Sequence, residues 1–249
     1  MIGVLGFLPK EKMRASSVQT LCEQFAKSFS IRNYVIDFHA QEGGAVGVCS
    51  HPSDSSQRMA VSGDKNVAVA FIGEIFNIEE IARLNDIKVS SDAADLILQL
   101  YQRDLLSSFS IANGLFCACI FDGTRNLQKL ITDRYGSFPI HYYIGDKRTT
   151  FATSIYSMLS DPLISHRPCQ VGLSQLFTLQ RTLGSYTNIA GIKPVPSACV
   201  ATITKNGISF EKYWHLKWVN HHFSDVELAE MIVAALRRAV IRQCESKSG

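Results

Sequence analysis

The sequence predicts an α+β fold with largely antiparallel sheets, and three observations support this prediction. Many short apolar segments are separated by Gly, Asn and Asp turns, as in sheets built from hairpins. Two or three helical patterns lie between these segments. The chain has 249 residues, of which 46% are hydrophobic and 19% charged. This composition suits a domain in which helices cover sheets around a buried core.

The amino-terminal third alternates strand and helix signals. Apolar residues recur at helical spacing after Ser16-Ser17, a pair that is able to cap a helix. The turn at Gly43-Gly44 separates two strand patterns, and the sequence SGDKN separates two more. The predicted elements are a strand at 3–8, a helix carrying Val18, Leu21 and Phe25, strands around 34–38 and 45–50, and a hairpin that joins 59–61 to 67–71.

The middle of the chain continues this pattern. Asn77 is placed to cap a short helix, and Ser91 or Asp92 to cap a longer one. The run LFCACIFD at 115–122 is apolar on both faces, which indicates a buried central strand. The segments at 126–134 and 140–154 are predicted to continue the same sheet, the second one turning at Gly145-Asp146. A third helix is predicted over Ser154–Leu159.

The residue pattern changes from Pro162 onward, where short apolar segments are interrupted by Gly and Pro. A hairpin is predicted with Asn206-Gly207 in its turn. Ser224 and Glu227 have the spacing of a capping box and predict a final helix. The predicted organisation is a main domain at 1–165, linker strands and a hairpin at 166–222, and a helix at 223–249.

Composition and charge argue against several classes of function. The formal net charge is +3 and the longest basic run is the pair Arg237-Arg238, so a nucleic-acid-binding face is not expected. No apolar run reaches the ~20 residues of a membrane helix, and the amino terminus is unlike a secretory signal. Seven cysteines without a CxxC pair favour a reducing cytoplasm and give no metal-ligand spacing.

Several stretches together resemble the amino-terminal half of the asparagine synthetase family, the class-II glutamine amidotransferases. They are FIGEIFN at 71–77, SSDAADLILQLYQ at 90–102, NGLFCACIFD at 113–122, TDRYGSFPIHYY at 132–143, and GIKPVP at 191–196 through EKYW at 211–214. The resemblance implies an Ntn-hydrolase αββα sandwich of two antiparallel sheets. It also implies the family's chemistry, in which an amino-terminal cysteine attacks the glutamine amide and an Asn-Gly pair holds the oxyanion.

The sequence departs from the family at the residues that carry this chemistry. Ile2 stands where the family has its nucleophilic cysteine, and Ile72 where it has the oxyanion asparagine. In the family, an arginine in the region that corresponds to 46–58 binds the glutamine carboxylate. The only arginine of this segment, Arg58, comes later in the sequence than the family's position. Losing one oxyanion donor costs about 10²–10³ in rate. Losing the nucleophile of a covalent mechanism costs up to ~10⁶.

The favoured hypothesis is therefore a catalytically inactive glutaminase-like domain, like the degenerate halves of β-lactam and lasso-peptide macrolactam synthetases. The resemblance implies Gly73, Glu74 and Asp92 as remnants of the substrate pocket. We expect Ile72 to pack against Ile2 and to close this pocket. The partner implied is a carboxyl-terminal synthetase domain, which would use ATP and Mg²⁺; no cofactor and no metal are expected in this chain. A homodimer is a further candidate assembly, without nucleic acid or membrane.

Two other functions stay open from the sequence. An active glutaminase could use an unorthodox nucleophile such as Cys49, although an inert buried thiol is favoured there. An amino-acid-sensing module could use Glu74 and Asp92 without hydrolysis. The pocket remnants also have structural interpretations: Gly73-Glu74 as a strand-ending turn and Asp92 as a helix N-cap. The Asp133-Arg134 motif with Gly136 is interpreted as a structural loop.

Overall fold

The computed structural model describes residues 3–28, 35–51, 59–88, 92–218 and 223–245. The chain divides into two compact units, Met1–Trp214 and His215–Gly249. The described strands, in chain order, are β1 (Gly3–Pro9), β2 (Val35–Gln41), β3 (Gly44–Ser50), β4 (Met59–Val61), β5 (Val67–Ile75), β6 (Gly114–Asp122), β7 (Leu127–Thr132), β8 (His141–Ile144), β9 (Arg148–Ala152), β10 (Lys193–Pro194), β11 (Cys199–Thr204) and β12 (Gly207–Lys212).

These strands form two six-stranded sheets in the first unit. The first sheet has the order β10-β8-β9-β1-β3-β2, and the second has the order β12-β11-β7-β6-β5-β4. Each pairing of neighbouring strands is antiparallel. The run at 115–122 forms most of β6, an inner strand that is almost entirely buried, as its apolar character on both faces predicts.

Helices cover the outer faces of both sheets, which gives the predicted αββα arrangement. The described α-helices are α1 (Ala15–Ser28), α2 (Ile78–Leu84), α3 (Ala93–Gln102), α4 (Ile155–Met158), α5 (Gln170–Leu179) and α6 (Asp225–Glu245), with a 3-10 helix at Leu106–Ile111. One hydrophobic core lies between the first sheet and α1 with α4, and another between the second sheet and α2 with α3. A third core fills the space between the two sheets.

A buried glutamine joins the two sheets across the central core. Gln128 on β7 is fully buried, and its Nε2 donates to the carbonyl oxygens of Phe7 and Ala45, each at 3.0 Å. These two carbonyls belong to β1 and β3 of the other sheet. Because a buried amide without partners is costly, this contact helps to fix how the sheets pack.

The prediction that 126–134 and 140–154 continue one sheet is wrong for the second segment. β7 pairs with β6, but β8 and β9 join the first sheet, where β9 pairs with β1. The chain changes sheets directly after β7, at the loop held by Asp133. Antiparallel strand patterns specify a hairpin but not the sheet to which the hairpin belongs.

Two local predictions also need correction, and one helix was missed. Helix α1 begins at Ala15, so Ser16-Ser17 lies in its first turn and not at its N-cap. The hairpin of β11 and β12 turns at 205–206, with Gly207 already paired opposite Thr204. Helix α5 was not predicted, because its apolar residues point in several directions and give no helical stripe.

The division at residues 165 and 222 stays a prediction about domain organisation. Within the first unit, β11 of the predicted linker pairs with β7 of the main sheet. The second unit contains α6, which opens with the predicted capping box: the Ser224 N–H donates to Glu227 Oε2 at 2.8 Å. Among the described helices, none has the length and apolar character needed to cross a bilayer.

Candidate functional site

The last part of β5 carries the residues that the family motif singles out. The two faces of β5 alternate along the strand: Phe71 and Ile75 belong to the core under α2 and α3, whereas Ile72 belongs to the core between the sheets. The strand keeps its pairing with β6 through Gly73 and Glu74, as far as Ile75 opposite Gly114. The predicted strand-ending turn at Gly73-Glu74 is therefore wrong, since both residues lie within the strand.

Ile72, which the resemblance aligns with the family's oxyanion asparagine, is fully buried. Its exposed fraction is 0%, and it lies in the core that also contains Val4, Val48 and Cys117. These neighbours are apolar or behave as small hydrophobes. The predicted contact between Ile72 and Ile2 lies outside the described residues, because Ile2 is not among them. Arg58 also lies outside them.

Gly73 is required by the close approach of β5 and β6. Its φ is +102°, a value that side-chain-bearing residues rarely adopt. A Cβ there would overlap the Leu115 carbonyl oxygen and come within 2.7 Å of the Phe116 Cα. The glycine of the motif therefore has a structural reason in this chain, independent of any ligand.

Glu74 is half-buried and shares a face of β5 with Ile72 by strand alternation. The strand end beside it is held by Asn77, a residue that the sequence suggested only as a helix cap. Asn77 occupies the N-cap position of α2 but makes no side-chain cap bond. Its Oδ1 instead accepts from the Asn113 N–H at 2.8 Å, and its Nδ2 donates to the Ile111 carbonyl at 3.1 Å. Asn77 thus joins the end of β5 to the start of β6.

Asp92 caps helix α3, as its structural interpretation predicts. Its Oδ1 accepts from the Ala94 N–H at 2.9 Å, and its backbone is extended, as N-cap residues usually are. Burial raises the pKa of the Asp92 carboxyl above its ordinary value, and the Ala94 N–H opposes this increase. Capping of α3 is therefore a sufficient structural reason for an acidic residue at position 92.

Two substitutions separate the cap from the charge of Asp92. We expect Asp92→Ala to lower the free energy of unfolding by about 1 kcal/mol, and Asp92→Asn to change it little, because asparagine is an equally good N-cap. An acid whose pKa is raised on folding binds its proton more tightly when folded. Its contribution to stability is therefore greatest at low pH and is lost as the pH rises through the folded-state pKa. The difference in unfolding free energy between the wild type and Asp92→Asn, measured by urea unfolding across that pH range, should show this dependence.

Cys49 faces away from the core that contains Ile72. It is 0% exposed and packs in the outer core of the first sheet, with Leu5, Phe25 and Ala152. Burial raises the pKa of its thiol, which disfavours the nucleophilic thiolate. Helix α1 therefore covers the only cysteine that the sequence offered as a replacement nucleophile.

Asp133 organises the loop at which the chain changes sheets. It is 1% exposed, and its carboxylate accepts from the backbone N–H groups of Phe116, Tyr135 and Ser137 at 3.1, 2.8 and 2.9 Å. Gly136 has a φ of +67° in the same loop. These contacts hold the loop against β6 and agree with the structural interpretation of this motif.

A buried ion pair elsewhere in the first unit was not suggested by the sequence. Asp161 is 0% exposed and accepts from both Nε and Nη2 of Arg148, the former at 2.8 Å. Thr150 and the Leu163 N–H donate to the same carboxylate, at 2.7 and 2.9 Å. Thirteen residues separate the partners, and no local pattern links them. Elsewhere, the described residues contain no group of three or more His, Cys, Asp or Glu arranged to hold a metal ion.

Comparison with known families decides the identity of this fold. A model of the glutamine amidotransferase domain family matches residues 1–214, which is the whole first unit. The chain belongs to the glutamine amidotransferase domain family. The predicted resemblance is thereby confirmed at the level of the family, and the motif residues described above lie within the matched part.

The curated relatives of this amidotransferase domain are asparagine synthetases. The chain is 28% identical over 187 residues to asparagine synthetase [glutamine-hydrolyzing] 3 of Bacillus subtilis, covering 72% of the chain and 30% of that protein. It is 30% identical over 111 residues to asparagine synthetase [glutamine-hydrolyzing] 2 of the same organism, covering 43% of the chain and 15% of that protein. The chain thus spans less than a third of the length of the relatives it matches.

Solved structures agree with the amidotransferase fold. The glutamine phosphoribosylpyrophosphate amidotransferase of B. subtilis, in complex with ADP and GMP, superposes with a TM-score of 0.56 at 13% identity. The match covers 85% of this chain and 49% of that structure. This similarity concerns the fold alone, and it confirms the predicted α+β arrangement of two antiparallel sheets with helices.

Proposed function

We propose that this chain is a catalytically inactive glutaminase-like domain of an ATP-dependent, amide-forming enzyme related to asparagine synthetases. Its role would be to support a synthetase half and not to release ammonia. ATP and Mg²⁺ would bind in that half, and the whole enzyme would work in the cytoplasm. The six cysteines of the first unit are free thiols, which supports a reducing compartment.

One observation carries this proposal: Ile72 is fully buried in the core between the sheets. An oxyanion donor must point a polar N–H group at the reacting oxygen, and an aliphatic side chain has none to offer. The side chain of Ile72 also has no solvent-exposed surface. By the resemblance, Ile2 takes the place of the nucleophilic cysteine, and this second loss does not add to the first.

The length of the relatives supports the synthetase half. The matched parts cover 30% and 15% of two asparagine synthetases, so most of each relative lies outside the region of similarity. An amide-forming enzyme that takes its amine from another source needs no working glutaminase. The domain would then be kept for its packing alone.

The alternative of an active enzyme with Cys49 as nucleophile is tested by the same assay that tests the proposal. We expect glutamate release from glutamine to stay at the buffer rate for the purified wild type, because Ile72 offers no oxyanion donor and Cys49 lies in a different core. Cys49→Ala serves as the matched variant. Turnover by the wild type that is lost in Cys49→Ala would contradict the proposal and support the alternative.

A further inference from the structure

Helix α5 carries five large apolar side chains and buries none of them fully. Among its ten residues, only Gly172 is buried. Phe177 is 82% exposed, and none of the three cores includes a residue of α5. Helices in proteins are stabilised mainly by burying an apolar face. Within the described part of the first unit, α5 has no such burial. Its apolar residues are Val171, Leu173, Leu176, Phe177 and Leu179.

The loop after α5 extends this apolar surface. Leu183 and Tyr186 are 40% and 45% exposed, and the Leu183 N–H donates to Gln175 Oε1 at 2.9 Å, which holds the loop against the helix. We call α5 together with residues 180–186 the α5 surface. Exposed apolar patches of this kind in a globular domain commonly mark protein interaction sites.

The α5 surface is held firmly on the domain. A Cβ at Gly172 would overlap the Thr187 carbonyl oxygen, so the helix packs directly on the returning backbone. The Cys169 N–H donates to the Asn188 carbonyl at 2.9 Å. Thr187 is buried and donates to the Ile192 carbonyl, also at 2.9 Å. A surface that is fixed before binding loses less conformational entropy on docking.

The segment that contains the α5 surface carries charges of one sign. Residues 162–210 contain none of the chain's 22 acidic residues. They contain four basic ones, Arg167, Arg181, Lys193 and Lys205. A complementary partner would present an apolar centre with carboxylates at its rim. A second copy of this chain, meeting the same surface across a twofold axis, would bring like charges together.

We propose that the α5 surface docks the synthetase half, with Phe177 as the central anchor and carboxylates of that half facing Arg181. This proposal rests on the proposed function, because it takes its partner from there. The matched region covers 30% of a relative's length, so a partner half of that enzyme type is large enough to cover α5. Large aromatic anchors carry much of the binding energy of such interfaces.

Hydroxyl-radical footprinting tests the docking surface without any substitution. Tyr156 is the matched control, since it is an aromatic residue that is also 82% exposed and lies on α4. The chain is labelled alone and with the synthetase half present. We expect the oxidation rate of Phe177 to fall at least about fivefold on docking, because interface anchors become fully desolvated, and that of Tyr156 to stay unchanged.

An affinity measurement gives a second readout. With the synthetase half supplied as a separate chain, Phe177→Ala is expected to weaken binding at least about tenfold, and Tyr156→Ala by less than about twofold. A Phe177 oxidation rate that does not change, like that of Tyr156, when that half is added would overturn the proposal. So would concentration-dependent protection of Phe177 in the chain alone, which would indicate a second copy as the occupant.

These results are separable from the test of the proposed function. Glutamate release with protection of Phe177 would contradict the inactive domain and leave the docking surface intact. Absence of glutamate release with an unprotected Phe177 would contradict the docking surface and agree with the inactive domain.

Discussion

Replacing Ile72 with asparagine, the residue of the family motif, is expected to lower the free energy of unfolding by about 3–5 kcal/mol. The substitution removes a side chain that is 0% exposed and places an amide among Val4, Val48 and Cys117. Both the lost apolar contacts and the unpaired amide destabilise the folded state. Urea unfolding of the two proteins measures the difference.

Ile72→Val is the matched control for this prediction. It keeps the site apolar and removes one methylene, so we expect a loss of about 0.5–1.5 kcal/mol. A stability of Ile72→Asn close to that of Ile72→Val would mean that water or a polar group reaches this position. The site would then be an open polar cleft, and its interpretation as part of the core would be wrong.

Removing the carboxylate of Asp161 is expected to have a similarly large effect on stability. In Asp161→Ala, Arg148 would lose its partner although its side chain is only 12% exposed. Breaking a buried ion pair from one side costs about 3–5 kcal/mol, because a buried charge is left uncompensated. The loss also removes the acceptor for Thr150 and for the Leu163 N–H. Chemical denaturation gives the magnitude.

The double variant Asp161→Ala with Arg148→Met separates the charge from the packing. Replacing both partners by apolar groups is often nearly neutral, so the double variant should be more stable than Asp161→Ala. Asp146→Ala, on the turn between β8 and β9, should change stability by less than about 0.5 kcal/mol. A double variant no more stable than Asp161→Ala would show that the ion pair is not the reason for the loss.

Local signals in the sequence predicted the elements better than their assembly. The apolar run at 115–122 identified an inner strand, and Asp92 was predicted as the cap that it forms. The sheet to which β8 and β9 belong was not predictable, because it depends on the loop that Asp133 holds. A hairpin pattern carries no information about a change of sheet.

The candidate site shows the same limit. The motif predicted that Ile72, Gly73 and Glu74 lie at one strand end, and this follows from their adjacency in the chain. The orientation of Cys49 away from Ile72 depends on the packing of α1 against the first sheet, which periodicity alone does not fix. The pairing of Arg148 with Asp161 and the exposure of α5 arise from contacts between distant segments.

We expect that no residue of this domain attacks glutamine. A covalent glutaminase passes through a glutamyl group attached to its nucleophile. Mixing the purified protein with glutamine, quenching with acid and measuring the intact mass tests for this group directly. We predict the unmodified mass at every time point. A fraction of the protein heavier by one glutamyl group would contradict the account of an inactive domain.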